Sequence, residues 1–162
     1  MITSMDSASA TGRFDVFEPG DKTALVCMDV AEMERIAIDQ LRELGYKVNA
    51  GLSVDDLQFK LRTHAYDVIL VAENYAASTI ASNPLLVEIN RAPAAQRRRQ
   101  LVVLIGASLR TANENEAFQH SVDVVIGLAD VGNLRPVIRR AALKSQEFYG
   151  RYLDAVSAAD VV

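Results

Sequence analysis

The stretch YDVILVAENY, residues 66–75, decides the fold. Its centre, Val68 to Val71, is an unbroken apolar run of strand length. A strand without polar alternation is one covered on both faces, the mark of a parallel sheet with helices above and below. Working outward, KTALVCM (22–28) and YKVNAGL (46–52) read as two earlier strands, and QLVVLIGAS (100–108) and DVVIGL (123–128) as two later ones. The five strands are expected near 22–28, 46–51, 67–72, 101–106 and 123–127.

The segments between them carry helical signals. In AEMERIAIDQLRELG (31–45), Met33, Ile36, Ala37, Gln40, Leu41 and Leu44 recur at three- and four-residue steps, and Gly45 supplies a stop. Ser53 is placed to cap VDDLQFKLRTHA, whose first turn holds Asp55 and Asp56, where carboxylates favour the positive end of a helix. Pro84 opens PLLVEINRA as a first-turn proline, and TANENEAFQHS (111–121) makes a short, weak helix. A long last helix runs from about Asn133 to Val156, with Pro136 tolerated only in its first turn. Five β-α units in a row predict an α/β fold: a parallel sheet between two helical layers, joined by right-handed crossovers.

The chain has 162 residues, half of them apolar, which suits one domain. The N-terminal MITSMDSASATGRFDVFEPGD (1–21) is small, polar and closed by Pro19-Gly20, the composition of a linker or tag-derived segment. The domain proper is expected over 22–157, with 158–162 as a tail. A net charge of −4 argues against nucleic-acid binding, which needs a clustered basic surface. The single cysteine, Cys27, excludes an internal disulfide and a cysteine-based metal site. There is no apolar run of membrane-spanning length and no secretory start, so a cytoplasmic protein without a membrane span is expected.

Element order, spacing, and phrases such as LRELGYKV and YDVILV resemble the receiver domain of bacterial two-component response regulators over about residues 22–145. The resemblance implies a flavodoxin-like, receiver-like three-layer sandwich with strand order 2-1-3-4-5. It also implies a chemistry. Receivers hold Mg²⁺ on an acidic pair after the first strand, take a phosphoryl group on an aspartate ending the third, and use a hydroxyl and a lysine after the fourth and fifth. Carried onto this chain, the acidic pair falls on Cys27 and Met28, with Asp29 one residue late. The acceptor falls on Ala72, the hydroxyl on Gly106, the lysine on Gly127 and the following proline on Leu128. Glu73, next to Ala72, is expected to point to the opposite face of its strand. All the positions of the transfer site are lost together, so the resemblance is to a degenerate pseudo-receiver.

Other residues have ordinary readings beside sharper ones. Cys27 is expected to be a small buried hydrophobe rather than a redox centre. His64 and His120 lie near helix ends and are expected to be solvated rather than a metal site or pH switch. Arg91 and Arg97 to Arg99 stand before the fourth strand, as a solvated approach or as a contact for an anionic partner. No Gly-rich phosphate loop is present, and no cofactor or metal is expected.

The last helix carries a stripe of Leu134, Ile138, Ala141, Ala142, Ser145, Phe148, Tyr149, Tyr152, Leu153 and Val156. About 24 helical residues span about 36 Å, whereas a typical strand covers about 17–20 Å, so the final turns pack elsewhere. Either they fold back on Phe14, Val16 and Phe17, or Phe148, Tyr149, Tyr152 and Leu153 form an interface with a partner or a second copy. By resemblance, partner contacts are expected from about Ala112 to Tyr152. The expected function is therefore a non-phosphorylatable interaction or dimerisation module of bacterial signal transduction, part of a larger protein and not an enzyme. The alternatives are a phosphate-accepting receiver with a shifted acidic site, and a flavodoxin-like domain binding a small ligand at the carboxyl ends of the first and third strands.

Overall fold

A computed structural model describes residues 13–14 and 16–161, without the side chains of Arg13, Phe14, Tyr149, Tyr152, Leu153, Val156, Ser157 and 159–161. The strands are β1 (Arg13–Phe14), β2 (Thr23–Cys27), β3 (Lys47–Ala50), β4 (Val68–Ala72), β5 (Leu101–Gly106) and β6 (Val124–Gly127). The helices are α1 (Ala31–Glu43), α2 (Val54–Thr63), α3 (Pro84–Asn90), α4 (Ala94–Arg97), α5 (Glu114–Gln119) and α6 (Leu134–Val161). Two 3₁₀ turns, Tyr75–Ala77 and Leu128–Asn133, follow β4 and β6.

Strands β2 to β6 pair in parallel throughout, and the sheet order is β1-β3-β2-β4-β5-β6. Counted among themselves, the five parallel strands run 2-1-3-4-5, the expected flavodoxin-like arrangement. Alternation along each strand divides the core into two layers. Val68 and Leu70 of β4 face α1 and α6 through Ile38, Leu41, Leu134 and Ile138. Ile69 and Val71 face α2, α3 and α5 through Leu57, Leu61, Leu85, Ile89 and Ala117. The local signals work as read. Ser53 Oγ accepts the Asp56 N–H at 3.2 Å, Gly45 ends its helix at φ +94°, and Pro84 follows the cap residue Asn83.

The five parallel strands stand as expected, and a sixth joins them: Arg13–Phe14, within the supposed linker, pairs antiparallel with β3. Without it β3 would be an edge strand, and an added strand satisfies the free backbone groups of such an edge. The last helix continues through the expected 158–162 tail as far as Val161, since Ala155, Ala158 and Ala159 favour helix and no proline interrupts them. Of the N-terminal residues expected to cover that helix, the Phe14 side chain lies outside the described residues, and the other two do not reach it. Val16 is exposed, and Phe17 packs with its ring 5.1 Å from His64 and 5.9 Å from Tyr66, in the α2 layer on the other side of the sheet. His64 is accordingly half-buried between these rings rather than solvated, and burial lowers its pKa.

The root of α6 is fixed from the opposite helix by Gln40, the one polar member of the α1 stripe. Its Nε2 donates to Val131 O at 2.6 Å and its Oε1 accepts the Arg135 N–H at 3.1 Å. A second tie is the ion pair between Arg135 and Glu43. At 28 residues α6 is about 42 Å long. The six residues of β5 cover about 20 Å.

Candidate functional site

The carboxyl edge of the sheet is where a fold of this order places its chemistry, in the crevice where strand order reverses. That crevice lies here between β2 and β4. Cys27 and Met28, at the acidic-pair positions, are both buried, Cys27 in the α2 layer and Met28 in the α1 layer. Burial pushes the Cys27 thiol far up, with the negative Glu34 adding to it, so this cysteine is held as a neutral thiol. Ala72 ends β4 with a half-buried methyl group in contact with both core layers.

The crevice itself is filled by Tyr75. Its ring belongs to the same buried cluster as Leu25, Cys27 and Val71, and its hydroxyl donates to Leu52 O at 3.3 Å. Burial, with the nearby carboxylates of Asp29 and Glu34 adding to it, pushes its pKa up to about 12. Asp29 stays at the surface and accepts the Ala76 N–H at 3.0 Å. That bond pins a strained turn, for Ala76 and Ala77 both have positive φ, 56° and 57°. A non-glycine residue in this region costs on the order of 1 kcal/mol, which the surrounding contacts must offset. Asn83 closes the loop from the other end. Fully buried, it donates to Ala72 O at 2.9 Å while capping α3 at the Leu85 and Leu86 N–H groups.

Glu73 does turn to the opposite face, as alternation requires. Its backbone N–H continues the ladder to Ile105 O at 2.8 Å, and its side chain lies across Gly106 in the α3–α5 layer, only 6% exposed. There Oε1 accepts the Ser108 N–H at 3.1 Å and Oε2 accepts the Ser108 hydroxyl at 2.6 Å. A Cβ on Gly106 would stand 2.1 Å from Glu73 Cδ. The glycine at the hydroxyl position is thus the space that the carboxylate occupies.

A similar closure holds the last loop. The Thr111 hydroxyl donates to Asp130 and accepts the Gly127 N–H at 2.9 Å. A Cβ on Gly127 would meet Leu109 O at 2.9 Å and Thr111 Oγ1 at 3.4 Å, so the backbone of the neighbouring loop closes over this glycine. The structure therefore gathers Ala72, Cys27, Gly106 and Gly127 along one sheet edge, as expected, but surrounds them with internal contacts. Ser108, Thr111, Tyr75 and Asn83 went unread in the sequence; Asn83-Pro84, a cap residue before a first-turn proline, is the one local signal that pointed to any of them.

The remaining candidates are spread elsewhere. Arg97 is engaged within the fold, with Nη1 on Asp123 at 2.9 Å and on Gln100 O, and Nη2 on Ser121 O at 3.1 Å. His64 and His120 lie apart, on the ends of α2 and α5. Among the described residues no group of three or more His, Cys, Asp and Glu side chains could hold a metal ion, and no helix is long and apolar enough to cross a membrane. Of the expected interface, Phe148 is 72% exposed, while the side chains of Tyr149, Tyr152 and Leu153 lie outside the described part. Compared with known proteins, the chain matches no protein-family model and no curated protein.

Proposed function

We propose that this chain is a degenerate receiver-like domain that transfers no phosphoryl group and acts by contact, with a protein partner or a second copy of itself, within bacterial signal transduction and as part of a larger protein. One observation carries the reading. At the carboxyl edge, the positions that would bind Mg²⁺ and phosphate hold apolar side chains or glycines, and the carboxylates nearby, Asp29 and Glu73, are bonded to backbone and to Ser108. Phosphoryl transfer needs a free carboxylate nucleophile and cationic groups around the transferred charge. A shifted site built on Asp29 and Glu73 is disfavoured, because the two engage different loops, one at Ala76 and one across Gly106. A small ligand in the β2–β4 crevice is disfavoured by Tyr75, which fills it.

Contact function is favoured at α6. Beyond Ala142, the last described residue of the helix packed on the core, Phe148 of the expected stripe is 72% exposed, and Leu143, on another side of the helix, is 57% exposed. A large exposed apolar side chain on such a stripe favours an interaction surface. Incubation of the protein with acetyl phosphate and Mg²⁺, followed by intact-mass measurement, is expected to show no phosphoryl adduct. An adduct on Asp29 or Glu73 would overturn the reading.

A further inference from the structure

Behind the Glu73–Ser108 contact, a cleft of about 760 Å³ opens between α3 and α5. It lies on the α3–α5 face, and Asn74 and Ser78, which flank the Tyr75–Ala77 turn, are among its lining. Volumes of this order accept small molecules. Its lining includes Glu73 with its partner Ser108, the apolar Ile80, Leu86 and Val87, and polar residues such as Asn90, Gln119 and His120.

Three features define the ligand chemistry. First, among the described residues Glu73 is the only Asp, Glu, Lys or Arg that lines the cleft. It is nearly buried, yet both of its bonds come from the uncharged Ser108, and among the described residues it has no ion-pair partner. A carboxylate accepts about four hydrogen bonds, and one removed from water is best satisfied by a cationic donor. Second, the cleft meets the C-terminal ends of two helices, α3 at Asn90 and α5 at Gln119, whose carbonyl ends also favour positive charge. Third, the apolar side offers cover for a short hydrocarbon body beside the charged head. Arg97, which reaches Ser121 O of the lining, is committed to Asp123.

We infer that the α3–α5 cleft is a binding site for a small primary amine with an apolar body, its ammonium group held by Glu73. This goes beyond the contact function proposed above and stands apart from it. Amide NMR spectra of the full chain, titrated with phenethylamine and separately with 3-phenylpropionate, test the inference with one hydrocarbon body and opposite charges. Phenethylamine is expected to shift the amides of Glu73, Ser108, Val87 and Ser121 saturably, and the carboxylate is expected to leave them in place. Glu73→Gln, which keeps the shape of the side chain but not its charge, should weaken amine binding by about tenfold or more. Val87→Trp, at a half-exposed position on the cleft wall, should block it in a folded protein and decides the matter if Glu73→Gln fails to fold. Absence of saturable shifts with the amine, equal shifts with both probes, or unchanged binding in either folded variant would overturn the inference.

Discussion

At the carboxyl edge of the sheet, Asp29, Glu73 and Asp130 each close on a neighbouring loop, whereas beyond Ala142 the last helix carries Leu143 and Phe148 into solvent. The first region has carboxylates and uses them for structure. The second has ordinary helix residues and leaves them unused within the fold. The difference shows how three carboxylates at a sheet edge can serve as ties between loops, while the far end of the last helix presents apolar surface. The ion pair of Lys144 with Glu114, at 3.1 Å and fully in solvent contact, does little to hold the distal helix.

The contrast is broken most severely at Gly106. Gly106→Val forces its side chain into the space of the Glu73 carboxylate and separates it from Ser108, with an expected loss of about 3 kcal/mol in urea unfolding. Adding Glu73→Ala to that variant should recover part of the loss, because the clash goes with the side chain. A double variant no more stable than Gly106→Val would mean that the glycine serves something other than Glu73.

The root of the last helix belongs with the sealed edge rather than with the helix tip. Gln40→Ala removes two buried hydrogen bonds, to Val131 O and from the Arg135 N–H, and is expected to cost about 2 kcal/mol by the same measurement. A cost within about 0.5 kcal/mol, the range of ordinary surface changes, would show that α6 is held by its apolar contacts alone.

A smaller, pH-dependent effect is expected at the N-terminal approach. Burial lowers the pKa of His64 below its ordinary value of 6.5, so the unfolded chain binds this proton at higher pH than the folded one. The resulting stability is present above pH 6.5 and is lost as the pH falls toward the lowered value. Asp67 opposes the shift and Lys60 adds to it. Thermal unfolding across this window, compared with His64→Phe, checks the sign; equal slopes in the two proteins would remove His64 as the cause.

The least effect on folding is expected at the helix tip. Phe148→Glu should change unfolding by no more than about 0.5 kcal/mol, since the ring is exposed. If a second copy covers this face, light scattering will show a concentration-dependent dimer in the parent protein that Phe148→Glu weakens. A monomer at every concentration would assign the face to a different chain.

Much of this molecule follows from sequence because the deciding forces are local or periodic. Unbroken apolar runs mark Val68–Val71 and Leu101–Ile105 as central strands, and the steps from Ala37 to Leu41 mark the buried face of α1. Ser53, Gly45 and Pro84 act on backbone groups within four residues of themselves, so their effects are readable where they stand. That Cys27, Met28, Ala72, Gly106 and Gly127 bring no carboxylate, hydroxyl or ammonium group to the strand ends is likewise visible as residue types at counted positions. Tertiary structure alone decided what surrounds them. Glu73 meets Ser108 across 35 residues, Asp29 meets Ala76 across 47, and Gln40 meets Arg135 across 95. Periodicity says which face a side chain is on, but a hydrogen bond between distant loops depends on where the folded strands end. The same holds for Arg13–Phe14, whose two residues carry no strand pattern of their own and become a strand because β3 offers an open edge.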